Sequence, residues 1–351
     1  RHNPPPPGRP PLLTQKPKPG RGGGQGPPGA FLDRLESDMK KYTIFLLAFA
    51  LLLALAACGA APESPGSAEG EYSFTDDLGR TVTLDRPERV AALIGSYADV
   101  WCLAGGRDTL AAAANDAWTS FDLGLDDSVA NLGAIKEPSL ETLLSAEPDF
   151  VLASCNTAAN LELMDVLESA GIPTAYFDVQ GFEDYLNMLD ICTALTGERE
   201  NYQTYGLDVQ SEIESAVARA DGSAPTVLVI RATGVSCKVK GSEDNVLGEM
   251  LAALGCVNIA DSDSSLLEDL SLEAIIKAEP DYIFAVLQGS DPTDAMATLE
   301  QTLLTNPGWG ELQAVREGRF YTLEHELYNL KPNARWGEAY EKLADILYPQ
   351  K

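Results

Sequence analysis

The sequence predicts an α/β protein of two Rossmann-like lobes, with mostly parallel sheets, joined by one long α-helix. Three observations carry that expectation. The segment SLETLLSAEPDFVLA (Ser139–Ala153) returns 132 residues later as SLEAIIKAEPDYIFA (Ser271–Ala285), with eight of fifteen positions identical. Around both copies, short apolar runs alternate with stretches of helical periodicity, as in a parallel sheet with crossover helices. Between the halves lies Glu198–Ala220, a proline-free stretch of 23 residues. As a helix it would span about 34 Å, the width of a small domain.

Each copy of the repeat reads as one helix followed by one strand. Ser139 and Ser271 suit an N-cap, with Glu141 and Glu273 in the first turn, where free backbone N–H groups favour negative charge. Leu140, Leu143 and Leu144 supply the i, i+3, i+4 stripe of a helix lying on a sheet. Pro148 and Pro280 end the helices, and the apolar runs after them suit strands buried on both faces. Two copies are too few for a solenoid and imply paired lobes.

The other elements follow in order. Phe74–Leu84 reads as a hairpin turning at Asp77-Leu78-Gly79. First-lobe strands are expected at Arg89–Ile94, Thr109–Ala114, Phe150–Ala153 and Thr174–Phe177, with helices at Tyr97–Leu103, Leu140–Ala146, Leu161–Ala170 and Phe182–Thr196. Gly206 is the weak point of the linking stretch, costing up to about 1 kcal/mol against alanine. Second-lobe strands are expected at Thr226–Ile230, Val257–Ala260, Tyr282–Val286 and Arg319–Leu323, with helices at Asn245–Leu254, Ser271–Ala278, Asp294–Leu304 and Gly337–Leu347. The resulting division is 73–197 for the first lobe, 198–221 for the connecting helix and 222–351 for the second.

Residues 1–38 hold ten prolines and seven glycines, and are expected not to be part of the native protein, with translation starting at Met39. Residues 39–57 have the basic start (Lys40, Lys41) and the 14-residue apolar run (Ile44–Ala57) of a signal peptide, too short to span a bilayer. The run closes in Leu55-Ala56-Ala57-Cys58, which resembles a bacterial lipoprotein box, so Cys58 is the expected lipidation site and 58–72 a tether. Of the 25 basic and 53 acidic residues, eight and three lie in residues 1–57, leaving Cys58–Lys351 with 17 against 50. Such a surface repels nucleic acid and anionic headgroups. Beyond Cys58, Cys102, Cys155, Cys192, Cys237 and Cys256 form no CxxC pair, and no structural disulfide is expected.

The lipobox, FTDDLGRTVTLDRPERVAAL, LGAIKEPSLETLLSAEPDFVLAS, the long linking helix and NPGWGELQAVREGRFYTL together resemble the class III (helical-backbone) solute-binding lipoproteins of ABC importers for ferric siderophores, haem and cobalamin. The resemblance runs over nearly all of Tyr72–Tyr348. It implies a monomer anchored to the outer face of the cytoplasmic membrane by lipid alone, working with a permease and its ATPase. The expected ligand is a ferric siderophore-type complex, with cobalamin or haem as the alternative; no cofactor is expected.

In such folds ligands sit beyond the carboxyl ends of the strands. The implied ligand-binding residues are therefore Tyr97, Asp116, Trp118 and Asn156 from the first lobe, with Ser96 and Asp178 beside them. From the second they are Arg231, Lys240 (with Lys238 in the same loop), Gln288, His325 and Tyr328. Arg231 suits an anionic chelate through charge-assisted contacts, with a structural ion pair as its other reading. His325, the one histidine after residue 57, and Tyr328 are the residues that would touch iron directly, if any does. In relatives one exposed carboxylate on each lobe docks on the permease, a role that falls here to Glu141 and Glu273. The sequence has no GxxxxGK[ST], HExxH or GxSxG motif and no GxGxxG opening a helix, so an extracytoplasmic enzyme is only a remote alternative and no residue is assigned as catalytic.

Overall fold

The computed structural model describes residues 70–350, except 244, 269, 290 and 291. Expectations for residues 1–69, Cys58 among them, lie outside the described residues. The chain opens with an antiparallel hairpin, β1 (Tyr72–Thr75) and β2 (Thr81–Leu84), turned by Gly79 at φ 77°.

The first lobe is a five-stranded parallel sheet in the order β5-β4-β3-β6-β7, with β3 Val90–Ala92, β4 Leu110–Ala113, β5 Ala130–Asn131, β6 Phe150–Ser154 and β7 Thr174–Phe177. The second repeats the core of that order as β10-β8-β11-β12, with β8 Thr226–Ala232, β10 Val257–Asn258, β11 Tyr282–Leu287 and β12 Phe320–Leu323, all parallel. It adds β9 (Cys237–Lys240), which runs antiparallel to the upper half of β8. Lys238 and Lys240 therefore lie on a strand, not in a loop. Neither β9 nor the two-residue β5 was expected from the sequence.

The repeat has the same local anatomy in both lobes. Helix α3 (Leu140–Ser145) and its counterpart α11 (Leu272–Ala278) are capped by Ser139 and Ser271, whose side chains accept from the N–H of Thr142 and Ala274. Both helices close on a left-handed glutamate, Glu147 at φ 49° and Glu279 at φ 45°, just before the proline. Left-handed backbone also escapes the clash that bars right-handed helix before proline. Asp149 then accepts from the N–H of Glu88 (2.8 Å) and Arg89 (2.9 Å), at the start of β3. Asp281 accepts from the N–H and hydroxyl of Thr226, each at 2.8 Å, at the start of β8.

Alternation along the strands sorts the core into three layers. Phe150 and Leu152 of β6, Val227 and Val229 of β8, and Phe284 and Val286 of β11 belong to one cluster reaching both lobes. Val151 and Ala153 face a separate first-lobe layer; Leu228, Ile230, Ile283 and Ala285 face a second-lobe layer.

The shared layer is closed by α6 (Phe182–Thr196), the linking helix and α15 (Trp336–Leu347), with Phe182 edge-on to Trp336 at 6.3 Å. The linking helix is shorter than expected and not uniform. It runs as α7 (Arg199–Tyr202), a wider π turn (Gln203–Leu207) and α8 (Asp208–Val217). Gly206 lies in that π turn, buried, where a Cβ would come within 2.7 Å of Leu186. The expected helix 161–170 is two pieces, α4 (Ala158–Leu161) and α5 (Met164–Ser169), and 294–304 is α12 (Pro292–Leu299) with a π turn. Cys102, Cys155, Cys192, Cys237 and Cys256 are free thiols, and Cys192 is fully buried.

Candidate ligand-binding crevice between the lobes

Sheets of this topology leave an opening where crossovers part to opposite sides, between β3 and β6 in one lobe and β8 and β11 in the other. Three neighbouring hollows that share lining residues mark the seam. The largest, about 670 Å³, is lined by Thr119 and Ser120 from the first lobe and by Leu287, Gln288 and His325 from the second. A hollow of about 270 Å³ shares Ser120, Glu326 and Leu330 with it. A third, of about 100 Å³, lies between Gln180 of the first lobe and Arg231 and Lys240 of the second, and shares Asn329 with the largest.

The β8–β9 ribbon brings basic residues to this seam. Its register pairs Arg231 with Lys238 and Val229 with Lys240. Opposed residues share a face, and so do residues two apart. Arg231, Lys238 and Lys240 therefore stand on the face that carries Val227 and Val229 into the core between the lobes. The opposite face, with Leu228, Ile230 and Val239, is packed in the second-lobe layer. Like charges directly opposite destabilise a ribbon. Arg231 and Lys238 form no ion pair with a described residue.

The other expected residues divide sharply. Gln288 and His325 line the largest hollow. His325 Nδ1 lies 3.1 Å from the Leu287 carbonyl, to which it can donate; in the neutral ring with that proton, Nε2 is the accepting atom. Tyr328 borders the small hollow, but its ring is buried and its hydroxyl donates to the Ala339 carbonyl at 3.0 Å. Burial also raises its pKa well above the ordinary tyrosine value, which opposes the phenolate that iron would need.

Tyr97 corrects the sequence reading. It is 3% exposed, donates to the Phe177 carbonyl at 3.0 Å and meets the Phe177 ring edge-on, because α1 (Gly95–Trp101) starts directly after β3 and turns it inward. Ser96 is buried with it, its carbonyl accepting from Asn333 Nδ2 at 2.9 Å. Asp116 is tied to the fold: Oδ2 accepts from the Gly95 N–H at 2.9 Å, Oδ1 is buried without a partner, and burial raises the carboxyl pKa. Trp118 packs half-buried against the shared core. Asn156 is exposed on the first-lobe rim and donates to Asp178, which also accepts from Gln180 Nε2 at 2.8 Å.

Two contributors carried no signal in the sequence. Gln180 reaches the seam through that rim network. Lys331 comes from the irregular segment between α14 (His325–Tyr328) and α15, and lines both smaller hollows. Burial lowers its pKa, while Glu249 from the second lobe and Asp178 and Asp184 from the first push it back up. Glu141 and Glu273 are both exposed, in the first turns of α3 and α11. Glu273 also borders a separate hollow of about 590 Å³ lined by second-lobe residues.

Known proteins share this design. A relative from Bacillus subtilis, the putative ABC transporter substrate-binding lipoprotein YhfQ, is 23% identical over 84% of this chain and 93% of its own length. The Fe(3+)-citrate-binding protein YfmC of the same organism is 24% identical over 83% and 93%. Among solved structures, Staphylococcus aureus SirA complexed with staphyloferrin B superposes with a TM-score of 0.61 at 21% identity, covering 79% of this chain and 97% of SirA. The family model described as periplasmic binding protein matches residues 90–327, from the first strand of the first lobe to the short helix that carries His325. This chain belongs to the periplasmic binding protein family.

Proposed function

We propose that this protein is the extracytoplasmic receptor of an ABC importer, and that it captures an anionic ferric siderophore-type complex in the crevice between its lobes. The observation that carries the ligand class is the basic face of the β8–β9 ribbon. Three cations share one face of a short ribbon in a region with 17 basic and 50 acidic residues. Their mutual repulsion favours an anionic occupant, and the low-dielectric wall beneath them strengthens its attraction. The relatives named for Fe(3+)-citrate and for iron uptake support the same class.

Haem is the second reading, favoured by His325, whose Nε2 is free to ligate beside the largest hollow. Cobalamin has no comparable support from the crevice. Titration of the purified protein with ferric citrate, haemin and cyanocobalamin separates the readings. Saturable one-to-one binding of the ferric chelate is expected, and tightest binding of haemin or cyanocobalamin would replace it.

Delivery follows from the two equivalent exposed carboxylates. Glu141 and Glu273 are matched in helix position across the lobes and suit basic sockets on a two-fold permease, which works with its ATPase. A lipid on Cys58 would keep the receptor at the membrane. The core layer shared by both lobes and the linking helix opposes wide opening, so closure is modest. A Glu141→Arg/Glu273→Arg variant should bind ligand normally and fail in import; import at the normal rate would refute this docking.

A further inference from the structure

The crevice is divided, and the division speaks to the shape of the ligand. The hollow of about 670 Å³ and that of about 100 Å³ lie side by side, with Asn329 lining both. The larger suits the body of a compact chelate. The smaller has less than a sixth of that volume. That is the scale of a carboxylate on a short arm, not of a whole ligand.

The chemistry of the small hollow points the same way. Arg231 reaches it from β8, Lys240 from β9 and Lys331 from the segment before α15, so separate stretches of chain bring three cations to one space. Val229, Leu247 and Val286 supply apolar walls, which strengthen any ion pair formed inside. Burial lowers the Lys331 pKa, and the acids that oppose that shift, Glu249, Asp178 and Asp184, belong to both lobes. Gly181 brings the lobes close at this point: a Cβ there would lie 2.6 Å from a Glu249 carboxylate oxygen.

We propose that the ligand is held in two compartments, and that Lys331, with Arg231 and Lys240, selects a chelate carrying a free carboxylate arm, which enters the small hollow while the chelate body fills the large one. The proposal rests on the receptor reading above and narrows it to carboxylate-bearing complexes. Lys331 is its specificity-determining residue, because it alone of the three also lines the neighbouring hollow of about 270 Å³.

The test uses metal-free citrate as the probe, at constant ionic strength with sodium chloride as the control. Citrate should bind the wild-type protein and raise its melting temperature. Lys331→Met should weaken citrate about 10-fold or more, the scale expected when one charge-assisted contact is lost. Lys331→Arg should restore most of the affinity, which a merely structural role for the residue would not predict. Arg231→Met should show the same loss, and serves if Lys331→Met folds poorly. No citrate binding by the wild type, or equal affinity in Lys331→Met, overturns the proposal. Ferric citrate, run in parallel, separates the two claims. Ferric citrate binding that ignores Lys331→Met removes the small compartment and keeps the receptor. Citrate binding through Lys331, with no ferric chelate bound, supports the compartment and removes the iron complex.

Discussion

The two lobes are alike in frame and unlike in charge. In both, a serine caps the repeated helix, a left-handed glutamate ends it, and an aspartate ties the start of the neighbouring strand. The strand order β4-β3-β6-β7 recurs as β10-β8-β11-β12. After β3 the chain turns straight into α1; after β8 it first makes β9, and with it a basic face. What is duplicated builds the scaffold. What was added to one copy brings to the crevice the basic face on which the proposed preference rests.

Several measurements would break or sharpen this contrast. The largest effect is expected from Arg231→Glu/Lys240→Glu, which should weaken an anionic ferric chelate by about 100-fold or more, since reversal replaces attraction by repulsion in a desolvated site. Asn156→Asp on the first-lobe rim should cost less than about 10-fold by the same titration. If the first-lobe change were the larger, the assignment of preference to the ribbon would fail.

Next come two glycines that admit no side chain. A Cβ on Gly95 would lie 2.5 Å from the Ala117 nitrogen, and one on Gly248 would lie 2.3 Å from the Gly241 carbonyl oxygen. Gly95→Val and Gly248→Val should each lower unfolding free energy by about 2–3 kcal/mol, because backbone cannot yield as a side chain does. Urea denaturation would read both. Tolerance at either would show that the contact relaxes.

Smaller losses are expected at the aspartate ties. Asp149→Ala and Asp281→Ala should each cost about 1 kcal/mol, as each removes two charge-assisted bonds at exposed positions. Similar values in the two lobes would support the repeat as a strand clamp. A cost at only one would mean that the copies have diverged in role.

The smallest effect belongs to an exposed ladder found on α15. The Arg335 hydrogen bond, helped by Lys342, holds the Glu338 carboxyl down at about 2. A depressed folded pKa means that its stabilisation is present above the ordinary carboxylate range and fades as pH falls from about 4.5 toward 2. Solvent screening keeps it under about 1 kcal/mol. Glu338→Gln should lower the melting temperature slightly at pH 7 and not at pH 2; an equal loss at both would exclude the ion pair as its cause.

The scaffold was legible in the sequence because repetition, helix caps and apolar alternation are local signals. Ser139, Ser271, Phe150–Ala153 and Tyr282–Val286 all stand where their local chemistry put them. The crevice was only partly legible. The rule that residues after a strand line the seam holds for Gln288, which borders the largest hollow, but fails for Tyr97, where a helix begins at once and buries the ring. Strand β9, Cys-Lys-Val-Lys, alternates correctly but is too short to stand out beside flanking glycine and serine. Lys331 lies in irregular chain, where no periodicity says which way a side chain faces. The π turn in the linking helix coincides with a tertiary contact, the close approach of Leu186 to Gly206, to which propensity alone is blind.

Isothermal titration of ferric citrate into the wild-type protein and into Arg231→Glu/Lys240→Glu tests the central idea most directly. A single saturable site in the wild type, nearly abolished by the reversal, is the result this account predicts. Undiminished binding by the doubly reversed protein would mean that the basic ribbon is not what holds the ligand.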